Sequence, residues 1–168
     1  DMFHATKRVN TQKGLIFSLG IMCAAAASCM LEEKNTTAQV ICQKVRSMTD
    51  GLCEKELVFL NKKGNLTNGE KLYKKYGITG IRGEVEKGFP TVCQFGLPVF
   101  QELKKTNRYH VNDILVQTLL HLMANNIDTN IVARHDLDTL TYVQQYAHKT
   151  LEVGGILTEK GRNMVFEM

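Results

Sequence analysis

Apolar residues recur along much of this chain at intervals of three and four positions, which is the spacing of one face of an α-helix. The stretch from Val9 to Leu31 is apolar on most of its faces, and it therefore predicts one long helix that is buried in the protein. No stretch shows the alternation with period two that is typical of a half-buried β-strand. The pattern predicts an all-α fold, a single-domain multi-helix bundle over residues 1–168.

Capping residues, glycines and prolines divide the pattern into separate helices. Residues 35–37 supply N-cap candidates for a second helix, whose apolar positions continue to Leu57. A polar loop at 61–69 precedes a short helix that Thr67 or Asn68 can cap and that Gly77 ends. The segment near 77–90 holds four glycines and is predicted to be a loop that joins helices. Further helices are expected at 91–105, 111–124, 137–152 and after Thr158, with a loop or break at 125–134.

The composition, 43% hydrophobic and 23% charged, is typical of a soluble globular protein. The net charge of +4 favours anionic ligands only weakly, because a solvated surface with a few extra lysines gives the same balance. There is no tryptophan and there are few aromatic residues to stack on bases, so no nucleic acid is expected as a partner. The run from Leu15 to Leu31 has the length of a membrane span, but several alanines and the charged residues 32–34 favour a core helix, and no membrane is expected.

The five cysteines, at positions 23, 29, 42, 53 and 93, form no CxxC motif, and their number is odd. They are interpreted as reduced core thiols rather than as a disulfide framework or a zinc site. Reduced thiols indicate a cytoplasmic protein. The sequence leaves open whether the protein forms a homo-oligomer.

Candidate chemistry is most concentrated in the Gly-rich segment. Its glycines permit a close approach of the backbone to a ligand, and Arg82 carries a planar guanidinium that matches phosphate. Glu84 and Glu86 could bind Mg²⁺ or accept a proton. They point the same way if the segment is extended and different ways if it is helical. An ordinary charged turn with an Arg–Glu pair is the alternative interpretation.

A basic cluster lies at the start of the first predicted helix and consists of Lys7, Asn10, Thr11 and Lys13. Helix N-termini present N–H groups and a partial positive charge, which favour phosphate. The spacing is not that of a Walker A loop. A solvated basic first turn is the alternative.

Polar residues also follow the apolar helix that ends near Ala124. Asp128, Asn130 and Arg134 are candidates to line a pocket, with a C-cap loop of that helix as the alternative. His121 lies within an apolar run and is interpreted as a core histidine, since no histidine shows the spacing of a metal motif.

These blocks together resemble the triphosphoribosyl-dephospho-CoA synthases, a family that helps to make the prosthetic group of citrate lyase and malonate decarboxylase. The resemblance runs with gaps over nearly the whole chain, through 5–20, 77–92, 119–134 and a weaker Gly154-Gly155 tail. Two positions depart from the family pattern, because Arg8 stands where glycine is common and Gln12 where histidine is common.

Three elements that are common in the family are not found in this chain. They are Pro-Lys-Pro-Gly and His-x-Asp-Met near the N-terminus, and Ser-Pro-Gly-Gly-Ser-Ala-Asp near the C-terminus. We therefore expect these 168 residues to be part of a longer enzyme, without its N- and C-terminal segments.

The resemblance implies a glycosyltransferase with ATP as donor. The 2′-hydroxyl of 3′-dephospho-CoA attacks the ribose C1 of ATP, adenine leaves, and the triphosphate stays on the transferred ribose. Inversion at C1 implies a carboxylate general base, for which the candidates are, in order, Glu84, Glu86 and Asp128. Mg²⁺ is expected on Glu84 or Glu86. The residues implied in nucleotide and phosphate binding are Lys7, Asn10, Thr11, Lys13, Arg82, Gly83, Asn130 and Arg134.

Two other classes of function remain open. One is an ATP-binding helical domain without transferase activity, and the other is a helical interaction module whose Gly-rich loop is structural. The sequence also leaves open whether the citrate lyase or the malonate decarboxylase pathway is served.

Overall fold

The computed structural model describes residues 12–32, 36–58 and 66–168. Within these ranges the chain forms helices and turns and contains no strand, which confirms the predicted all-α fold. The α-helices are α1 (Lys13–Leu31), α2 (Ala38–Met48), α3 (Asn68–Tyr76), α4 (Ile81–Glu86), α5 (Leu97–Thr106), α6 (Val111–Asn125), α7 (Thr129–Arg134), α8 (Leu137–Glu152) and α9 (Glu159–Phe166). Two π-helical turns, Glu54–Val58 and Val92–Gly96, and a 3₁₀ turn, Gly155–Leu157, lie between them.

The described residues belong to two compact units. The first unit consists of Asp1–Phe59 and Ile81–Phe89, and the second of Leu60–Gly80 and Pro90–Met168. Residues Ile81–Phe89, which contain α4, thus belong to the first unit although the segments before and after them belong to the second. That the whole chain forms one domain stays a prediction.

The core of the first unit lies where α1, α2 and α4 pack together. Ala25 of α1, Val45 of α2 and Val85 of α4 are fully buried, and Phe89 is buried beside them. The buried hydroxyl of Thr49 donates a hydrogen bond to the carbonyl oxygen of Val85, at 3.2 Å. The middle of the Gly-rich segment is therefore part of a hydrophobic core.

The prediction that the first helix is buried is wrong for much of its surface. α1 packs against α2 and α4 and buries Ala25 and Cys29, but Leu19 and Leu31 are 56% and 85% exposed. It is also the one helix in the described ranges that is long and apolar enough to cross a membrane. A helix that is apolar on most faces gives no sequence signal of which face is covered, because each face has the composition of a core face.

The second unit is built around α6 and α8, which pack along each other. Leu120 and Ala124 of α6 and Ala147 of α8 are buried. Gln117 of α6 is buried as well, and its Oε1 accepts a hydrogen bond from the N–H of Ile156 at 3.0 Å. The amide side chain therefore ties the 3₁₀ turn to the centre of α6.

Several helix ends confirm the predicted caps. Thr67 and Glu70 form a reciprocal capping box at the start of α3, and Gly77 ends that helix in the left-handed conformation, with φ of +70°. The hydroxyl of Thr158 caps α9 through the N–H of Gly161. α8 has the predicted bounds of 137–152.

Three local predictions need correction. The second helix ends at Met48 instead of continuing to Leu57, because Gly51 turns the chain with φ of +71° before a π-helical turn begins. The predicted loop at 125–134 contains α7, and the Gly-rich segment contains α4. Short helices of this kind show less than two turns of periodicity, so their sequence pattern is that of a loop.

Candidate active site

The Gly-rich segment is a short helix between left-handed glycines. α4 begins directly after Gly80, with φ of +56°, and the chain turns at Gly88, with φ of +74°. A Cβ atom at Gly88 would lie 2.5 Å from the carbonyl oxygen of Cys42 in α2, so a larger residue does not fit there without a shift. Phe89 follows, also at positive φ and buried. Left-handed backbone at a bulky residue is rare and is concentrated at functional sites.

Arg82 of α4 forms an ion pair with a residue that the sequence pattern did not single out. Its Nε lies 2.5 Å from Oε2 of Glu56 in the first π-helical turn. The alternative foreseen for this segment, an Arg–Glu pair, is therefore present. The partner lies 26 residues earlier in the chain and is neither Glu84 nor Glu86.

Glu84 and Glu86 leave α4 in different directions, because residues two apart on a helix are about 200° apart around its axis. Glu86 reaches the preceding turn, where its Oε1 accepts a hydrogen bond from the N–H of Cys53 at 3.4 Å. Glu84 is half-buried. No group of three His, Cys, Asp or Glu side chains in the described ranges is arranged to hold a metal. A magnesium ion at either carboxylate would need nucleotide phosphates as further ligands, and its presence stays a prediction.

Glu86 also changes the chemistry of Cys53. The pKa of the Cys53 thiol is raised from 9.0 to about 12. Burial is the largest cause, and the hydrogen bond to Glu86 and the negative charge of Glu86 add to it. The thiol is therefore protonated at neutral pH and is a poor nucleophile. All five cysteines lie in the described ranges as free thiols, and Cys29 is buried, but Cys23 is exposed, so the prediction of core thiols is wrong for Cys23.

The start of α1 lies against α4. Lys13 is the exposed first residue of α1, and a Cβ atom at Gly14 would lie 4.0 Å from Cγ2 of Ile81. Two sequence blocks that are far apart in the chain therefore meet in the first unit. The rest of the predicted basic cluster lies outside the described residues, namely Lys7, Asn10 and Thr11.

The third predicted cluster belongs to the second unit. Asp128 is the N-cap of α7, and its Oδ1 accepts hydrogen bonds from the N–H groups of Asn130 at 2.7 Å and Ile131 at 3.3 Å. Asn130 and Arg134 are exposed. Asp128 therefore caps a helix, but it caps the N-terminus of α7 and not the C-terminus of α6, as the alternative had predicted. The two N–H groups at Oδ1 give Asp128 a structural role at the start of α7.

His121 lies half-buried in α6, as expected of a histidine in an apolar run. Burial, with a smaller effect of the charge on His148, lowers the pKa of His121. The imidazole is therefore neutral at pH 7, which agrees with a core histidine.

Glu56 is the residue near Arg82 that sequence reasoning missed. It lies in the run Glu54-Lys55-Glu56, whose exposed charges look like those of any solvated turn. The sequence offers no local signal for this pairing, because only the fold brings the turn to α4.

The comparisons with known proteins agree on one family. All of residues 1–168 match the family model described as CitG, ATP:dephospho-CoA triphosphoribosyl transferase. A probable 2-(5″-triphosphoribosyl)-3′-dephosphocoenzyme-A synthase from Pectobacterium carotovorum is 43% identical over 150 residues, which are 89% of this chain and 49% of the relative. A similarly named protein from Lactiplantibacillus plantarum is 40% identical over 170 residues, or 99% of this chain and 58% of that protein.

A similarly named protein from Salmonella choleraesuis is 42% identical over 162 residues, which are 96% of this chain and 53% of that relative. The chain thus spans about half the length of the curated relatives it matches. No solved structure matches it. Because the family model covers every residue, the chain belongs to the ATP:dephospho-CoA triphosphoribosyl transferase family.

Proposed function

We propose that this chain transfers the 5-triphosphoribosyl group of ATP to the 2′-hydroxyl of 3′-dephospho-CoA. A bond forms between the acceptor oxygen and ribose C1, and the bond from C1 to N9 of adenine breaks. The hydroxyl proton passes to a base and adenine leaves with a proton. The observation that carries the proposal is the family match over residues 1–168.

The geometry of the first unit supports a phosphate site at α4. The start of α1, with Lys13, and the start of α4, with Arg82, lie in the same unit and meet through Gly14 and Ile81. A guanidinium and an ammonium group suit a polyphosphate, because charge-assisted hydrogen bonds to phosphate are short and strong. We assign the triphosphate to these two cations. Mg²⁺, when bound with the nucleotide, would neutralise part of the remaining phosphate charge through one α4 carboxylate.

Glu84 is the proposed general base. The reacting C1 centre carries positive charge as adenine leaves, and the incoming hydroxyl must lose its proton as the new bond forms. General-base catalysis contributes about 10²–10⁴-fold. Glu84 is the first choice of the three carboxylates because it lies in the first turn of α4, two residues after Arg82, to which the triphosphate is assigned.

The test is the release of adenine from ATP and Mg²⁺, measured by chromatography with and without 3′-dephospho-CoA. We expect adenine only when the acceptor is present. Release without the acceptor would indicate a nucleosidase, and release of phosphate instead of adenine would indicate an ATPase; either outcome contradicts the transferase. Glu84→Gln should lower kcat by about 10²-fold or more. Glu86→Gln, two residues along the same helix, is the matched control and should change kcat much less.

A second candidate is ATP binding without transfer. This candidate is favoured because the chain spans only about half the length of its relatives. Side chains that bind 3′-dephospho-CoA could therefore belong to the part of the relatives that this chain does not match. ATP binding without acceptor-dependent adenine release would support it. A chain that binds no adenine nucleotide would be an interaction module instead.

The product is proposed to be the precursor of the acyl-carrier-protein prosthetic group of citrate lyase, with malonate decarboxylase as the alternative. We further propose that the reaction takes place in the cytoplasm. The genes that neighbour the coding sequence would distinguish the two pathways.

A further inference from the structure

The ion pair between Glu56 and Arg82 joins two parts of the first unit that are distant in the sequence. Glu56 lies in the π-helical turn Glu54–Val58, and Arg82 is the second residue of α4. Their contact, from Nε to Oε2 at 2.5 Å, is a short charge-assisted hydrogen bond. The arginine side chain is 16% exposed and the glutamate 49%, so the guanidinium is the more enclosed partner.

The identity of the contacted nitrogen decides what the pair can do. Nε is the guanidinium nitrogen nearest the backbone, and the group is planar, so an acceptor at Nε sets the direction of the whole fork. Phosphate binds most strongly to the fork itself, in a bidentate arrangement. A carboxylate at Nε therefore orients the two terminal nitrogens.

Both partners are attached to the core of the first unit. Leu57, the neighbour of Glu56, is 2% exposed, and the N–H of Cys53 just before this turn donates to Glu86 of α4. Val85 of α4 is fully buried. The orientation of Arg82 is therefore set by packing of the folded unit before any ligand arrives.

We propose that Glu56 is a positioning residue, which holds Arg82 in the orientation in which its terminal nitrogens receive the triphosphate of ATP. This rests on the proposed function, which gives Arg82 a triphosphate to bind. The charge of Glu56 has two opposed effects, because it orients the arginine and also repels phosphate. If orientation dominates, removing the carboxylate weakens nucleotide binding; if repulsion dominates, removing it strengthens binding.

The first experiment measures acceptor-dependent adenine release by Glu56→Ala, with Glu54→Ala as the matched control from the same turn. We expect Glu56→Ala to raise the KM for ATP about tenfold, since a charge-assisted hydrogen bond is involved. It should leave kcat nearly unchanged, because the triphosphate is remote from C1 and is bound equally in the ground and transition states. Glu54→Ala should change neither constant.

Two further variants separate positioning from a general structural effect. Glu56→Gln keeps an oxygen that accepts from Nε and should recover most of the wild-type KM. In an Arg82→Ala background, Glu56→Ala should no longer raise the KM, since no guanidinium remains to be positioned and only the repulsion of phosphate is removed. Glu56→Gln, which keeps an acceptor for the enclosed guanidinium, should match Glu54→Ala in thermal stability.

The inference is overturned if Glu56→Ala lowers the KM for ATP or leaves it unchanged, or if it lowers kcat and thermal stability together. Binding of inorganic triphosphate, measured by calorimetry, keeps this test independent of turnover. If the wild-type chain releases no adenine, the proposed function fails. The positioning role then stands only if Glu56→Ala weakens triphosphate binding about tenfold while Glu54→Ala does not.

Discussion

Gly88→Ala should destabilise the first unit far more than Gly51→Ala, although both glycines have nearly the same backbone conformation. Their φ angles are +74° and +71°, so an alanine at either position carries the same penalty for left-handed backbone, about 1 kcal/mol. The surroundings differ. A Cβ atom at Gly51 has the flexible end of Lys55 at 4.0 Å, whereas one at Gly88 has the carbonyl oxygen of Cys42 at 2.5 Å.

The extra loss of unfolding free energy in Gly88→Ala depends on which atoms must move to make room for the Cβ atom. The obstructing atom belongs to the backbone of α2, so it cannot rotate away, and relief requires α2 and the end of α4 to separate. Overpacking of this kind costs about 1–3 kcal/mol. We therefore expect a loss of about 1 kcal/mol for Gly51→Ala and about 2–4 kcal/mol for Gly88→Ala. At this chain length each kcal/mol lowers Tm by about 2–4 °C.

Chemical denaturation followed by far-UV circular dichroism measures both losses, with Gly51→Ala as the control for backbone strain. Because α4 carries Arg82 and Glu84, the looser Gly88→Ala packing should also reduce nucleotide binding. Equal losses for the two variants would mean that the end of α4 is not packed against Cys42.

Three other predictions test separate parts of the structure. Asp128→Ala should remove the cap of α7 and lower the unfolding free energy by about 1 kcal/mol, whereas Asp128→Asn should retain both stability and turnover. A large loss of turnover in Asp128→Asn would instead identify Asp128 as the base. Because the pKa of Cys53 is raised to about 12, the free energy of unfolding should fall as the pH rises above 9, where the unfolded thiol ionises and the folded one does not. Glu86→Gln should lower the pKa of Cys53 and so speed its alkylation at pH 9, which site-resolved mass spectrometry measures. Val45→Ala removes a core side chain and should cost about 2–3 kcal/mol of unfolding free energy. Leu19→Ser changes the exposed side of α1 and should cost less than about 0.5 kcal/mol. Similar costs for the two variants would show that this side of α1 is covered.

The sequence predicted the fold class and most helix ends because those depend on local signals. The capping box at Thr67, the left-handed Gly77 and the bounds of α8 each follow from residues within one or two turns. The exposure of α1 could not be predicted, because a uniformly apolar helix has no polar face to mark its solvent side. α7 was missed because six residues are too few to show helical periodicity.

In the candidate site as well, local sequence signals identified some residues, whereas their contacts depend on the fold. The Gly-rich segment drew attention to Arg82 and its neighbouring carboxylates, since the residue types alone suggest phosphate chemistry. The orientation of Glu84 relative to Glu86 depended on whether the segment was helical, which a glycine-rich sequence leaves open. The contact of Arg82 with Glu56 could not be foreseen, because it depends on the packing of a π-helical turn against α4.

The fate of the γ-phosphate distinguishes transfer of the triphosphoribosyl group from every other use of ATP. The wild-type chain is incubated with γ-labelled ATP, Mg²⁺ and 3′-dephospho-CoA, and the products are separated and identified by mass. Transfer of the triphosphoribosyl group predicts that the label appears on the dephospho-CoA product, with one adenine released for each product molecule. Label in free phosphate, or adenine formed without labelled dephospho-CoA product, would contradict the proposed reaction.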